Sequence, residues 1–491
     1  MASSGHTAVA ITDNPATESS PLLPKRRDEE EEEEEEEGFE VGISGASAPS
    51  AVFNLLTTIV GAGIMALPAT QKELGIFLGM ITIVFVGILT DASLEILLRF
   101  SKAANSLSYS SLMADAFGIT GRTLLQLSII VNNVGLLIVY MIIIGDVLSG
   151  SGQGAAHHSG VLEEWGGGSF WWNGRFFILL LTTVLVLVPL VSFKRVDSLR
   201  FSSALSIALA VVFVVVTGVI TATKLMYKEI PSPRWLPDVH DQFSFWKLFT
   251  AVPVIVTAYI CHHNLHPIAN ELDDPASMQK ICRVSITICT FVYIATALFG
   301  YLLFGASTMD DVLANFDADL RIPYGKVLAG IVRVGYAVHL MLVFPLIHFS
   351  LRINLDSLLF PKSAPISEDN RRFACITTVL ILVIFFGSTL VPNIWTVFQF
   401  TGATAAVCIG FVFPGIIALR DKHGIATGYD KTIASIMVIL AVVSSITAIT
   451  TNVYGIISPG SKKDKPGVSN ERQAMSFFQP VGNAERPKPS L

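Results

Sequence analysis

The chain has 491 residues, of which 52% are apolar and only 15% charged, with a formal net charge of −6. Soluble domains carry about 25% charged residues, so this composition excludes an ordinary soluble enzyme. It also excludes a nucleic-acid binder held by a basic surface, and points to an all-α polytopic membrane protein.

Residues 1–47 read as a disordered cytosolic tail: polar residues, then Asp28 and the glutamate run Glu29–Glu37, whose like charges repel and keep the segment extended. Within it Glu18 stands four positions before Leu22-Leu23. This pattern resembles the acidic dileucine signal that sorting adaptors read on proteins bound for vacuoles, lysosomes or endosomes. No signal peptide precedes the first apolar run, so the first span is expected to insert the chain.

Eleven spans follow, near 50–71, 74–98, 123–149, 174–193, 201–223, 248–268, 283–305, 327–349, 372–390, 394–418 and 432–455. About 20 apolar residues cross the hydrocarbon of a bilayer. The first two are joined only by Gln71–Gly75, and the ninth and tenth by Val391-Pro392-Asn393. With the N-terminus in the cytosol, fifteen lysines and arginines fall on the cytosolic side and eight on the opposite, trans side. That bias favours this orientation. The transmembrane domain is therefore 48–455, and residues 456–491 read as a disordered C-terminal tail.

Two segments interrupt these spans. Gly61-Ala62-Gly63 lies in the first, and Cys261-His262-His263-Asn264-Leu265-His266-Pro267 near the end of the sixth. A broken membrane helix frees N–H and C=O groups that lipid cannot satisfy, so breaks sit against protein, water or ligand. A pair of breaks in corresponding halves marks the binding site of a secondary transporter. Pro267 is expected to end the helix at the histidine cluster. That cluster reads as a broken-helix segment rather than a metal centre, because no carboxylate signature accompanies it.

No phosphate-binding loop, dinucleotide fingerprint or catalytic pair is present, and no cofactor is expected. The five cysteines fall in or beside spans, which excludes a disulfide between the long trans-side loops 150–173 and 224–247. Intramembrane polar residues such as Asn54, Asn133, Tyr140, Arg333 and His339 mark an ion or ligand path, or tie helices together.

The stretch Phe53–Pro68 resembles the first span of the amino acid/auxin permease family. Asn133-Val134-Gly135 with Ile143–Asp146 resembles its third span, and Tyr259–Asn264 with Pro267-Ile268 and Glu271-Leu272 its sixth. The likeness covers about residues 46–455, and is to the branch holding animal sodium-coupled neutral amino acid transporters and the vacuolar amino acid transporters of yeast and plants. It implies a LeuT-like fold: inverted five-helix repeats, 48–223 and 246–418, plus an extra helix at 432–455. It implies no enzyme activity. The implied function is secondary transport of amino acids, neutral favoured and acidic possible. A sodium-coupled symporter and a non-transporting amino acid sensor are the alternatives.

The substrate zwitterion would take its carboxylate to the N–H groups of Gly61, Ala62 and Gly63. Its ammonium would go to freed carbonyls near Ile59 and Ala258–Cys261. Glycine is expected to serve both by unusual dihedrals and by close approach. Asn54, Thr57, Asn133, Tyr259, Cys261 and Asn264 complete the candidate substrate site. Asn54, Arg333 and His339 are the candidate coupling or gating residues. The resemblance implies a hydroxyl residue in span 8 for sodium coupling, but no serine or threonine lies between Arg333 and Pro345, whereas a histidine such as His339 can change charge near neutral pH. Coupling to protons, or transport driven by the substrate gradient, is therefore expected ahead of sodium. A vacuolar or other endomembrane is the expected location, with the plasma membrane as alternative.

Overall fold

Lipid offers no hydrogen bonds, so a chain this apolar must close its backbone bonds within each segment. The computed structural model describes residues 47–151, 158–168, 170–194, 200–230, 232–240, 242–317, 320–391 and 394–457. The expected sorting signal at Glu18, Leu22 and Leu23, the glutamate run, Pro392-Asn393 and the C-terminal tail from Ser458 lie outside these residues.

The helices are α1 (Ala48–Ile59), α2 (Gly63–Ala103), α3 (Tyr109–Ser149), α4 (Val161–Gly166), α5 (Arg175–Thr182), α6 (Val188–Val191), α7 (Arg200–Met226) and α8 (Gln242–Lys247). They continue as α9 (Ala251–Tyr259), α10 (His262–Asn270), α11 (Met278–Phe304), α12 (Gly325–Leu359), α13 (Asn370–Leu390), α14 (Ile394–Thr401), α15 (Phe413–Arg420) and α16 (Gly428–Ile457). A π-helical turn at Thr183–Leu187 joins α5 to α6, and two more, Gly402–Ala406 and Cys408–Val412, lie between α14 and α15. Strand β1 (Gly150–Ser151) pairs antiparallel with β2 (His158–Ser159).

Among the described residues nine helices are long and apolar enough to cross a membrane, and Ala48–Ile59 and Arg175–Val191 are shorter apolar helices. Phe77, Ile81, Val84, Phe85 and Ile88 form an exposed stripe at helical spacing along α2. A soluble protein would bury such a stripe; here it faces lipid. The protein is an all-α polytopic membrane protein.

Several boundaries differ from the sequence expectation. α2 runs through the expected first linker, but Gly75 at φ +73° breaks it into two segments, and a side chain there would strike the Leu236 backbone. The third span begins early, at Tyr109, because Ser108 caps the helix through Ser111 N–H and Ser111 returns the bond. Gly118, at φ +66°, then turns the helix into the membrane. α12 continues ten residues past the expected end at 349, carrying Asp356 to an ion pair with Arg372 (3.1 Å). The helix does not end at Pro267, which lies within α10. A proline removes one donor from a ladder, and this short helix carries that loss without stopping.

Candidate functional site

The last bond of α1 is Val60 N–H to Leu56 C=O. The ladder resumes with Ile64 N–H to Gly61 and Met65 N–H to Ala62, passing over the donors of Gly61, Ala62 and Gly63. Val60 is extended, at φ −78° and ψ 92°. The second break lies upstream of its expected place. Ile260 is extended (φ −67°, ψ 116°), and the ladder resumes at Asn264 N–H to Cys261.

The two breaks touch. A Cβ on Gly63 would lie 2.7 Å from the Ala258 Cα, so only glycine lets α2 start against the end of α9. A Cβ on Gly61 would lie 2.1 Å from the Tyr140 hydroxyl. Neither glycine has positive φ. Their requirement is close approach, and the expected dihedral role is not used.

Three tyrosines from three helices surround the first break. The Tyr293 hydroxyl of α11 lies 2.8 Å from the Ile59 carbonyl and 2.5 Å from the Ala258 carbonyl. It has one proton for two acceptors. The Tyr336 hydroxyl of α12 donates to the Gly61 carbonyl at 2.7 Å. The Tyr140 hydroxyl of α3 points toward the Ala62 N–H but forms no hydrogen bond of ordinary geometry. Sequence reading singled out neither Tyr293 nor Tyr336. A tyrosine in an apolar helix signals only that its hydroxyl needs a partner.

His339, one turn beyond Tyr336, is fully buried and its Nδ1 lies 2.7 Å from the Ser206 carbonyl of α7. A carbonyl only accepts, so Nδ1 carries the proton and Nε2 keeps its lone pair. Nε2 is buried and makes no hydrogen bond, with the Val60 carbonyl beside the ring.

Around the second break, the histidines tie α10 down. His262 Nε2 is 2.9 Å from the Ser93 Oγ, and that hydroxyl donates to the Gly410 carbonyl at 2.5 Å. His262 must then donate to Ser93. His266 Nε2 meets Ser101 at 2.6 Å, two turns along α2. Both imidazole nitrogens of His263 are buried without a partner. No metal-binding group of three histidine, cysteine or acidic residues occurs among the described residues.

The other candidate residues distribute as follows. Asn264 donates to the Thr58 hydroxyl at 3.2 Å, linking α10 to α1, and Thr58 and Thr57 bond back to the Asn54 and Phe53 carbonyls. Asn54 is half-buried on α1. Tyr259 turns away from the glycines and donates to Thr290 of α11 at 2.8 Å. Cys261 is a buried free thiol in the second break. Asn133 is buried two turns along α3 from Tyr140, and its side-chain oxygen accepts from Asn132. Arg333 lies one turn before Tyr336 on α12 and is buried. It pairs with Glu164 of α4 at 2.5 Å and donates to the Ser159 carbonyl.

Comparison with known proteins then places the chain. A family described as transmembrane amino acid transporter protein matches residues 44–458. The chain is 54% identical over 449 residues to amino acid transporter AVT6A of Arabidopsis thaliana, covering 91% of this chain and 95% of that protein. It is 56% identical over 415 residues to AVT6B of the same plant, covering 84% and 91%. Putative sodium-coupled neutral amino acid transporter 10 of Xenopus laevis is 24% identical over 462 residues, covering 90% of this chain and 42% of that protein. Among solved structures, the Eremococcus coleocola manganese transporter aligns with a TM-score of 0.57 at 12% identity, covering 88% and 90%. At that identity the likeness speaks for the LeuT-like fold alone.

Proposed function

Because the chain belongs to the transmembrane amino acid transporter family, we propose that it moves amino acids by alternating access, with the substrate held where the two breaks meet. The observation that carries this is the convergence of the Ile59 and Ala258 carbonyls on the single Tyr293 hydroxyl. One proton cannot serve both acceptors, and an α-ammonium brings three N–H donors. The carboxylate goes to the unbonded N–H groups of Gly61, Ala62 and Gly63 at the positive end of α2. Asn54, Thr57, Asn133, Tyr259, Cys261 and Asn264 are the remaining proposed substrate-site residues, and of these Asn264 ties α10 to α1 through Thr58.

The proposed topology has eleven spans, counting α1 with the first part of α2 as one and splitting α2 at Gly75. Residues 48–223 and 246–418 form inverted repeats and α16 is the extra helix. The helices carrying the breaks, with α11, rock against α3, α7 and α12. Tyr293 then belongs to the moving unit, whereas Tyr336, Tyr140 and His339 meet it from the fixed one.

His339 is the proposed coupling group. Protonation of Nε2 supplies a donor for the Val60 carbonyl, which the break leaves free, and so fastens α12 to α1. Coupling is to protons, or the substrate gradient drives transport. Sodium coupling is the alternative, disfavoured because α12 offers apolar side chains where sodium needs oxygen. Neutral amino acids are the favoured substrates, because Arg333 already holds the Glu164 carboxylate; an acidic substrate would have to displace it. The N-terminus is placed in the cytosol and the protein in the vacuolar or another internal membrane. Leu22→Ala with Leu23→Ala should shift it to the plasma membrane if an adaptor reads Glu18, Leu22 and Leu23.

The test is flux of each of the twenty labelled amino acids in proteoliposomes, with imposed proton and sodium gradients. Uptake driven by acid outside supports the reading. Strict sodium dependence replaces the coupling part, and absence of flux in folded protein makes the chain an amino acid sensor.

A further inference from the structure

The loop between α11 and α12 carries a buried carboxyl that the transport mechanism above does not use. Residues Val312–Asp317 form a 3-10 turn, packed against α2, α3, α12 and β2 on the trans side. Asp311, just before it, is 6% exposed. Its Oδ1 accepts from the Leu313 N–H at 2.9 Å, and its Oδ2 is buried without any hydrogen-bond partner.

That carboxyl lines two adjoining cavities. The larger, about 280 Å³, is also bordered by Lys72, Asp146, Thr308 and Asp310. The smaller is bordered by Asp146, Ser159, Asp317 and Arg333. The surrounding cations have their own acceptors. Arg175 pairs with Asp146, Arg333 with Glu164, and Lys72 donates to the Thr308 carbonyl at 2.8 Å. Charged and titratable groups on the packed elements are Lys72 and Glu73 on α2, Asp146 on α3 and Arg333 on α12. Strand β2 carries His158, and the loop itself Asp310 and Asp317. Carboxylates outnumber cations on the sides that face Asp311.

We propose that Asp311 is a proton-binding site at the trans-side entrance, separate from the broken helices, and that the proton keeps the loop seated over that entrance. A buried carboxylate beside other carboxylates must lose its charge or gain a cation. Protonation turns Oδ2 from a bare acceptor into a donor toward the cavity and removes the repulsion from Asp146. The cavity geometry agrees with the electrostatics: burial pushes the Asp311 carboxyl up to about 7, Asp146 and Asp310 add to the rise, and Arg333 opposes it.

Infrared spectroscopy of the full chain in lipid, titrated in deuterated buffer from pH 5 to pH 9, tests this without needing any transport. Subtracting Asp311→Asn should isolate one carboxylic acid C=O band that disappears with a midpoint near 7. Asp146→Asn, which removes a neighbouring carboxylate and frees Arg175, should keep the band and move its midpoint down. Absence of a carboxylic acid band in the difference at pH 5 overturns the proposal. So does a band whose midpoint ignores Asp146→Asn. If replacing choline chloride by sodium chloride abolishes the band at pH 6, the site takes a metal cation and the proton reading fails. None of these outcomes bears on the substrate site, which flux measurements test separately.

Discussion

Two regions about one helical turn apart are held together by different chemistry. At the broken helices the ties are neutral: tyrosine hydroxyls on carbonyls, histidines on serines, an asparagine on a threonine. Around Arg333 and Asp146 they are ionic: Arg333 with Glu164, Arg175 with Asp146. Deep in the membrane an uncompensated charge costs several kcal/mol, so a site that must open and close repeatedly is best tied by groups that stay neutral when released. Near water the same separation is cheap, and charge adds sensitivity to pH and salt. In the proposed mechanism the neutral region handles the substrate and the ionic one controls access.

The sharpest way to break this comparison is Gly61→Val, which drives a side chain into the Tyr140 hydroxyl. Transport should fall at least a hundredfold in protein that still inserts in the membrane, as measured by flux and surface or vesicle labelling. Normal flux would mean that the breaks do not hold substrate. Gly63→Val, facing the Ala258 backbone, should do the same. Tyr293→Phe leaves two buried carbonyls without their donor, a loss of about 1–3 kcal/mol. Because the substrate ammonium then meets both carbonyls without a competing donor, the apparent KM should fall about tenfold, more for amino acids than for their N-methyl derivatives, which offer one N–H fewer.

Tyr336→Phe removes one neutral hydrogen bond between the two units, about 1 kcal/mol or roughly fivefold. Its effect should appear in the turnover rate rather than in KM, because that bond ties the moving unit to the fixed one. An equal change in both would blur the distinction between the tyrosines.

Asp311→Asn should act through pH alone. Burial pushes the folded carboxyl up to about 7, from its ordinary value of 3.8. The wild-type chain is therefore uncharged at this position like the variant at low pH, loses stability relative to it as pH rises from about 4 to about 7, and then levels off. Thermal unfolding across that window, with shifts of about a few degrees, checks the sign. Smallest should be Arg333→Gln, which breaks an entrance ion pair. Flux of neutral amino acids should stay within about twofold, while competition by aspartate and glutamate reports whether the guanidinium contacts substrate. Loss of all transport would move Arg333 into the gate itself.

Membrane class, the two interrupted helices and the family likeness were all legible from the residues. Each depends on local composition: long apolar runs, and glycine or proline where such runs should not contain them. The position of the second break was legible only to within a few residues. Pro267 marked it too late, because a proline weakens a helix without obliging it to stop, and the extended residue is Ile260, which carries no local signal. Which side chains guard the breaks was decided by tertiary structure. Tyr293 and Tyr336 are distant in sequence from Ile59 and Gly61, and only the packing of α11 and α12 brings their hydroxyls to those carbonyls. Asp311 is likewise unremarkable as an aspartate in a polar loop; burial against Asp146 and Arg333 gives its carboxyl a distinct chemistry. Sequence sets where the backbone opens, since that is a property of neighbouring residues. What fills the opening depends on contacts between residues far apart in the chain, and those exist only once the helices have packed.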